Sequence, residues 1–241
     1  MENSSLNDSK SIHQHQKHRA VYAAVSKQLW MIYQKRVFHV WNNERALKTR
    51  QVFTRCYYLP LIKPWADKLD GAIQVLELGS GPVCAAQYLG KGEQTYIDPL
   101  INEYRKLFPG VMPEKATYFP VMAENIEDPQ QTFDIVLCLD TLSDVHNPEL
   151  VLNKVRGMMR QDGYFIVSME TWPLWLARLH YLLARFFPAM PQFNRLYSYT
   201  NNGFKNTLLR HFDIIDESIV RPNFSWLSVK KEMFFVCKHK L

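Results

Sequence analysis

The rhythm of hydrophobic positions changes once along the chain, near residue 70. From about Lys17 to Tyr58 there is neither glycine nor proline, and Val21, Val25, Leu29 and Ile32 recur at helical spacing beside Tyr22, Trp30 and Tyr33. This predicts one or two helices, a break at Leu59-Pro60, and a short helix near Pro64 to Leu69. Beyond that point short apolar runs alternate with helical stretches. The runs are Ile73–Leu78, Gln94–Ile97, Thr117–Val121, Phe133–Leu139, Tyr164–Glu170, Phe212–Ile219 and Glu232–Lys238. Helices are predicted at Val83–Leu89, Pro99–Phe108, Asn125–Gln130 and Pro148–Arg160. The last has Asn147 as N-cap, Pro148 at its first position, an apolar face of Leu150, Val151, Val155, Met158 and Met159, and Gly163 as its stop. Strands alternating with helices mean βαβ units: an α/β fold with a mainly parallel, Rossmann-like sheet covered on both faces.

A second aromatic region, Trp172 to Pro188, interrupts the last part of this pattern. Trp175, Leu179, Leu182 and Phe186 form one helical stripe, while Arg178 and Arg185 share another face one heptad apart. Three readings stay open: a lid packed on the N-terminal helices, an apolar substrate pocket, or contact with a membrane surface. The chain then divides into a disordered start (1–16), a helical cap (17–69), and a main domain (70–241) carrying a lid insertion at about 172–199.

Composition narrows the class. With 241 residues, 47% hydrophobic and 22% charged, the chain is ordinary globular protein and long enough for one domain with additions. Cys56, Cys84, Cys138 and Cys237 form no CxxC and no zinc spacing; Cys84 and Cys138 sit in apolar runs as buried thiols, which fits a reducing cytoplasm. The polar start resembles no signal peptide, and no run of 18 apolar residues exists. His13, His15 and His18 flank glutamines in a polar stretch, which reads as a frayed terminus and not as a metal site. The net charge of +6 is unevenly spread. Residues 1–65 hold 11 basic and 3 acidic side chains, residues 71–168 hold 7 and 13, and residues 169–241 hold 10 and 5. Basic ends around an acidic centre suit either a solvated helical surface or an anionic partner at the ends.

The chemistry concentrates in Val75-Leu76-Glu77-Leu78-Gly79-Ser80-Gly81, a strand running into a Gly-x-Gly turn and a predicted helix. Such glycines let the backbone pass close to a ligand, and a helix start offers free N–H groups. The third glycine of a dinucleotide turn is absent, since position 84 is Cys. Glu77 would repel a pyrophosphate and favour a ligand bearing an ammonium or sulfonium group. Asp98 closes the second strand, where a carboxylate can accept both hydroxyls of a ribose. Ala123-Glu124-Asn125 follows the third strand and Asp140 the fourth, so all four pieces lie at carboxyl ends of strands. Glu124 also reads as a plain solvated loop acid, and Asp98 as the cap of a helix beginning at Pro99.

With these residues the sequence resembles the class I S-adenosylmethionine-dependent methyltransferases, in the broad group of ubiquinone/menaquinone-biosynthesis-type small-molecule enzymes. Tyr96-Ile97-Asp98, Ala123-Glu124-Asn125-Ile126, Phe133-Asp134-Ile135-Val136-Leu137 and Met158-Met159-Arg160-Gln161-Asp162-Gly163 carry it alongside the glycine turn, over about residues 70–240. The resemblance implies a seven-stranded sheet whose last strand is antiparallel, and S-adenosyl-L-methionine as cofactor. It implies Glu77, Gly79, Ser80 and Gly81 around the methionine part, Asp98 and Pro99 at the ribose, and Ala123 with Glu124 at the adenine. Leu139 and Asp140 would lie near the amino group and methyl. The chain departs from the common pattern at Val83, Met122 and Gln161-Asp162-Gly163, and has Asp144 where many members carry a histidine.

Methyl transfer from a sulfonium needs alignment and exclusion of water more than a base. Asp144 and His146 are the candidate catalytic pair, and they read equally as residues preceding the Pro148 helix. No metal-ligand cluster stands out, and Asp140 with Asp144 is too little for one. Nucleic acid is disfavoured: no nucleic-acid module is visible, and Asp140-Thr141-Leu142-Ser143 is not the Asn-Pro-Pro-aromatic turn of DNA amino-methyltransferases. The expected substrate is therefore a small, partly apolar metabolite methylated on oxygen, nitrogen or carbon. A non-catalytic binding or assembly protein on the same fold is the alternative. Oligomeric state is not legible.

Overall fold

The computed structural model describes residues 24–126, 132–186, 195–220 and 230–240. The expected disordered start, His13, His15 and His18, and the middle of the lid insertion lie outside the described residues. Three helices precede the sheet: α1 (Lys27–Trp41), α2 (Glu44–Phe53) and α3 (Leu59–Ala66). The Ser26 hydroxyl caps α1 by accepting from Leu29 N–H at 3.2 Å. The row ending in Ile32 does not set the inward face of α1. Ile32 is exposed, whereas Trp30 and Tyr33 are buried, because aromatic rings withdraw more area from water.

Leu59-Pro60 is not a break. Thr54–Tyr58 forms a π-helical turn that joins α2 to α3, and Leu59 N–H donates to the Thr54 carbonyl. Pro60 falls in the first turn of α3, where the wider turn before it asks for no donor. The helix ends at Ala66 with Pro64 inside it, earlier than Leu69.

The described residues contain seven strands: β1 (Gln74–Leu78), β2 (Glu93–Ile97), β3 (Thr117–Phe119), β4 (Phe133–Leu139), β5 (Met159–Thr171), β6 (Phe212–Ile219) and β7 (Lys231–His239). Their order is β3-β2-β1-β4-β5-β7-β6. The first five pair in parallel, and β7 runs antiparallel between β5 and β6. Side chains alternate between two cores. Leu76, Leu78, Val136, Cys138 and Phe165 face α5 (Pro148–Met158) and α7 (Asn201–His211). Val75, Ile135, Leu137, Leu139 and Ile166 face Tyr58, Ile62 and Ala66 of the cap. The central strands are thus buried on both sides, as parallel strands require.

Several predicted boundaries move. Val83–Leu89 is a short 3-10 turn, Ala85–Leu89, and Pro99–Phe108 contracts to α4 (Ile101–Leu107). Of Asn125–Gln130, Asn125 belongs to the 3-10 turn Ala123–Asn125 and Ile126 is extended; the remaining residues lie outside the described ones. Gly163 does not stop α5. That helix ends at Met158 and β5 starts at once, with a register shift opposite Phe133 and Ile135. A Cβ at Gly163 would lie 3.0 Å from the Asp134 carbonyl oxygen, so close backbone approach is what glycine serves there. After β5 comes α6 (Leu174–Phe186), and the chain returns to the sheet where Trp172 N–H donates to the Tyr199 carbonyl at 2.8 Å. Among the described residues no helix is long and apolar enough to cross a membrane.

Candidate functional site

The strand order reverses between β1 and β4, and the carboxyl ends there open into a cavity of about 420 Å³. Gly79, Ser80, Gly81, Asp98, Pro99, Ala123, Glu124, Leu139, Asp140 and Asp144 line it together; Glu77 and His146 do not. The turn after β1 depends on its glycines. Gly79 has φ +63° and Gly81 φ +57°, a region costly for other residues. At Gly79 a Cβ would meet Thr141 Cγ2 at 2.1 Å; at Gly81 it would find only Trp41, at 3.9 Å. The first glycine is demanded by packing, whereas the second leaves space in front of the backbone.

Glu77 shares the cap-side face with Val75, and its carboxylate accepts from Ala85 N–H at 3.0 Å and Ala86 N–H at 2.9 Å. The two oxygens thereby close the start of the 3-10 turn, so those N–H groups are not offered to a ligand. Burial pushes Glu77 up to about 7, with the two donors pulling it back. Asp98 is buried but reaches the cavity. One oxygen accepts from Gly81 N–H at 3.0 Å, the other from Leu100 N–H at 2.8 Å. It therefore fixes the glycine turn and forms an Asx turn with Leu100, just ahead of α4. It is not that helix's N-cap, a place held by Leu100. Burial raises Asp98 to about 6 against those donors. Glu124 ties its own turn to α5 by accepting from Asn147 N–H at 2.7 Å.

Asp140 has φ +58°, a left-handed conformation that short polar side chains tolerate. The turn brings both its carbonyl and its carboxylate to Arg195, which also donates to Asp144 at 2.8 Å. Asp144 further accepts from Ser143 Oγ at 2.8 Å and from Tyr33 of α1. Burial raises its carboxyl while Arg195 lowers it. Asp140 Oδ1, by contrast, is buried without a hydrogen-bond partner. His146 contributes its backbone: its carbonyl accepts from Tyr197 OH at 2.7 Å, and the same hydroxyl accepts from Val25 N–H at 3.1 Å ahead of α1.

Several lining residues lie outside the sequence motifs: Arg50, Trp41, Thr141, Glu170, Arg195 and Lys230, while Trp172 opens the aromatic region that the sequence offers as a lid or apolar pocket. The Arg50 guanidinium lies 5.0 Å from the Tyr58 ring centre and 5.6 Å from that of Phe53, and makes no ion pair among the described residues. Behind it, Tyr58 OH donates to Glu232, which also accepts from Ser168 Oγ at 2.9 Å. Lys230 sits over the Trp172 ring at 3.7 Å and donates to Glu170 at 3.2 Å. The uneven charge was the one available signal, since each of these cations comes from a basic end of the chain. No group of residues that could hold a metal ion occurs among the described residues.

A family described as a methyltransferase domain matches residues 49–207 of the chain. No curated protein matches it by sequence. Among solved structures, the 1,6-didemethyltoxoflavin-N1-methyltransferase of Burkholderia thailandensis, with 1,6-didemethyltoxoflavin and S-adenosylhomocysteine bound, superposes with a TM-score of 0.63. The identity is 15%, over 92% of this chain and 94% of that one. Magnesium protoporphyrin IX methyltransferase of Synechocystis, with S-adenosylhomocysteine bound, gives 0.53 at 12% identity over 76% and 82%. A SAM-dependent methyltransferase of Thermotoga maritima gives 0.56 at 16% identity over 88% and 100%. At such identities the likeness is one of fold.

Proposed function

The chain belongs to the methyltransferase domain family, and on that premise we propose that it transfers a methyl group from S-adenosyl-L-methionine to an oxygen, nitrogen or carbon of a small, partly apolar metabolite. The observation that carries the reading is the placement of Asp98 on the cavity wall, holding the Gly81 turn through one oxygen. Each carboxylate oxygen has two acceptor sites, and one backbone donor on each leaves room for two ribose hydroxyls.

The rest of the cavity fits the same ligand. Its volume lies within the range of small-molecule sites. The open space before Gly81 admits close approach to the backbone. Asp140 Oδ1 is a buried acceptor awaiting a donor such as an ammonium group, and Arg50, already in the field of Asp140 and Glu232, presents its positive charge to a ligand carboxylate. Ala123 and Glu124 form the wall for the adenine. Bound there, the cofactor supplies a sulfonium-activated methyl group. Trp30, Tyr33, Val37, Trp41 and Trp172 give the acceptor an apolar enclosure and keep water away from its nucleophile.

Asp144 acts as a positioning residue in this account. With Ser143, Tyr33 and Arg195 all donating to it, its carboxylate joins the cap to the end of the lid insertion and has little capacity left for a substrate proton. Placing the enzyme in a reducing cytoplasm accords with four free cysteines, three of them buried. The reading is tested by incubating the protein with methyl-labelled S-adenosylmethionine and a small-molecule cell extract. Label is expected in an organic-soluble product. Cofactor binding without any transfer would instead make the chain a non-catalytic binding module.

A further inference from the structure

We propose that α6 is an interfacial helix that seats the protein on an anionic lipid surface. Four large apolar side chains stand out from it into solvent: Leu174 (56% exposed), Trp175 (61%), Leu179 (43%) and Leu182 (53%). Trp175, Leu179 and Leu182 follow the i, i+4, i+7 spacing of one helical face, while Ala177 turns inward and is buried. A contiguous face of this kind marks an interaction site, unlike apolar residues scattered singly. The sequence of α6, LWLARLHYLLARF, contains no acidic residue, and Arg178 is exposed beside the apolar face. Tryptophan and leucine beside arginine are what a bilayer boundary with anionic headgroups accepts.

Charge decides among the occupants. A second copy docked through α6 about a two-fold axis would bring Arg178 to a helix with no carboxylate to receive it. The chain's own first twenty residues are equally unsuited, with only Met1, Leu6, Ile12 and Ala20 as apolar cover. An anionic lipid surface answers both the apolar face and the arginine. The helix begins two residues after Trp172 and the insertion returns through Arg195, both on the cavity wall. Seating α6 on lipid thus brings the cavity rim to the bilayer, where an apolar acceptor is dissolved. This last consequence rests on the cavity reading; lipid binding itself does not, so the two fail separately.

The test is co-sedimentation of the full chain with vesicles of phosphatidylcholine alone or mixed equally with phosphatidylglycerol. Wild type is expected to sediment with the mixed vesicles, less with phosphatidylcholine alone, and less as salt is added. Trp175→Glu and Leu179→Glu should each lower the bound fraction about tenfold, because a carboxylate then faces the acyl boundary. Both side chains are exposed, so melting temperature and S-adenosylhomocysteine binding should stay as in wild type. If either variant folds poorly, Arg178→Ala and Leu179→Ser read the same loss more mildly. Wild type remaining in the supernatant, or glutamate variants sedimenting like wild type, would overturn the proposal. So would a wild-type dimer that Trp175→Glu dissociates, which would give the face to a second copy.

Discussion

Asp98 joins two demands in one carboxylate: it holds backbone N–H groups at Gly81 and Leu100, and it presents its remaining acceptor capacity to the cavity. Asp98→Asn cannot meet both, because a carboxamide has one acceptor oxygen and turns donors toward the other N–H. The expected result is a loss of about 1–3 kcal/mol in stability, seen in urea unfolding, together with at least tenfold weaker S-adenosylhomocysteine binding. Unchanged stability would mean that the Gly81 turn does not depend on this carboxylate. The two glycines should part in the same assay. Gly81→Ala meets only the conformational cost of a positive φ, about 1–2 kcal/mol. Gly79→Ala adds a collision with Thr141 and should be distinctly more destabilising. Equal effects would contradict the packing described. Both glycines and Asp98 were legible in the sequence, since a turn and a strand end are local events. Glu77 was visible but its role was not: the period of two assigns it to the cap-side face, while its partners Ala85 and Ala86 depend on how the next turn winds.

Among the elements, the limits of β4 are legible in the sequence because every residue from Phe133 to Leu139 except Asp134 is apolar. The α2–π–α3 connection is continuous where the sequence predicts a break, because Pro60 ends a helix only if the preceding turn has not already given up a hydrogen bond. Beyond its place in a basic end of the chain, nothing in the sequence singles out Arg195. It lies 55 residues from Asp140 in sequence, and an ion pair between distant elements imposes no periodicity on either. Its substitution tests how the insertion is held. Arg195→Ala leaves Asp140 and Asp144 facing one another, both largely shielded from solvent and without their shared cation. A loss of about 3–5 kcal/mol is expected by chemical denaturation, as for other buried pairs broken on one side. Arg195→Ala combined with Asp144→Asn should recover part of it by removing one of the stranded charges. No recovery would show that the residues around 195 are held by other contacts.

At the scale of the whole molecule, function is set against stability in the buried carboxyls. Glu77 and Glu232 are raised to about 7 and Asp98 to about 6, chiefly by burial. A carboxyl raised in the folded state favours folding below its ordinary range, and that contribution is lost as pH rises through the folded value. Thermal unfolding of the ligand-free protein should therefore show these groups stabilising at about pH 5 and no longer at about pH 8. Glu232→Gln should flatten part of that slope; an unchanged slope would remove Glu232 from it. Ligand binding acts in the opposite sense, drawing on the charged form of Asp98, so affinity should fall as pH drops below about 6. The most direct measurement is titration calorimetry of S-adenosylhomocysteine into wild type and Asp98→Ala at neutral pH. The wild type should bind, and the variant should bind tenfold to several-hundredfold more weakly, roughly 1.4–3.5 kcal/mol, through loss of charge-assisted bonds to the ribose. A folded wild type that releases no binding heat and gains no melting temperature from the ligand would contradict the assignment of this cavity. Equal affinity in the variant would contradict the place given to Asp98.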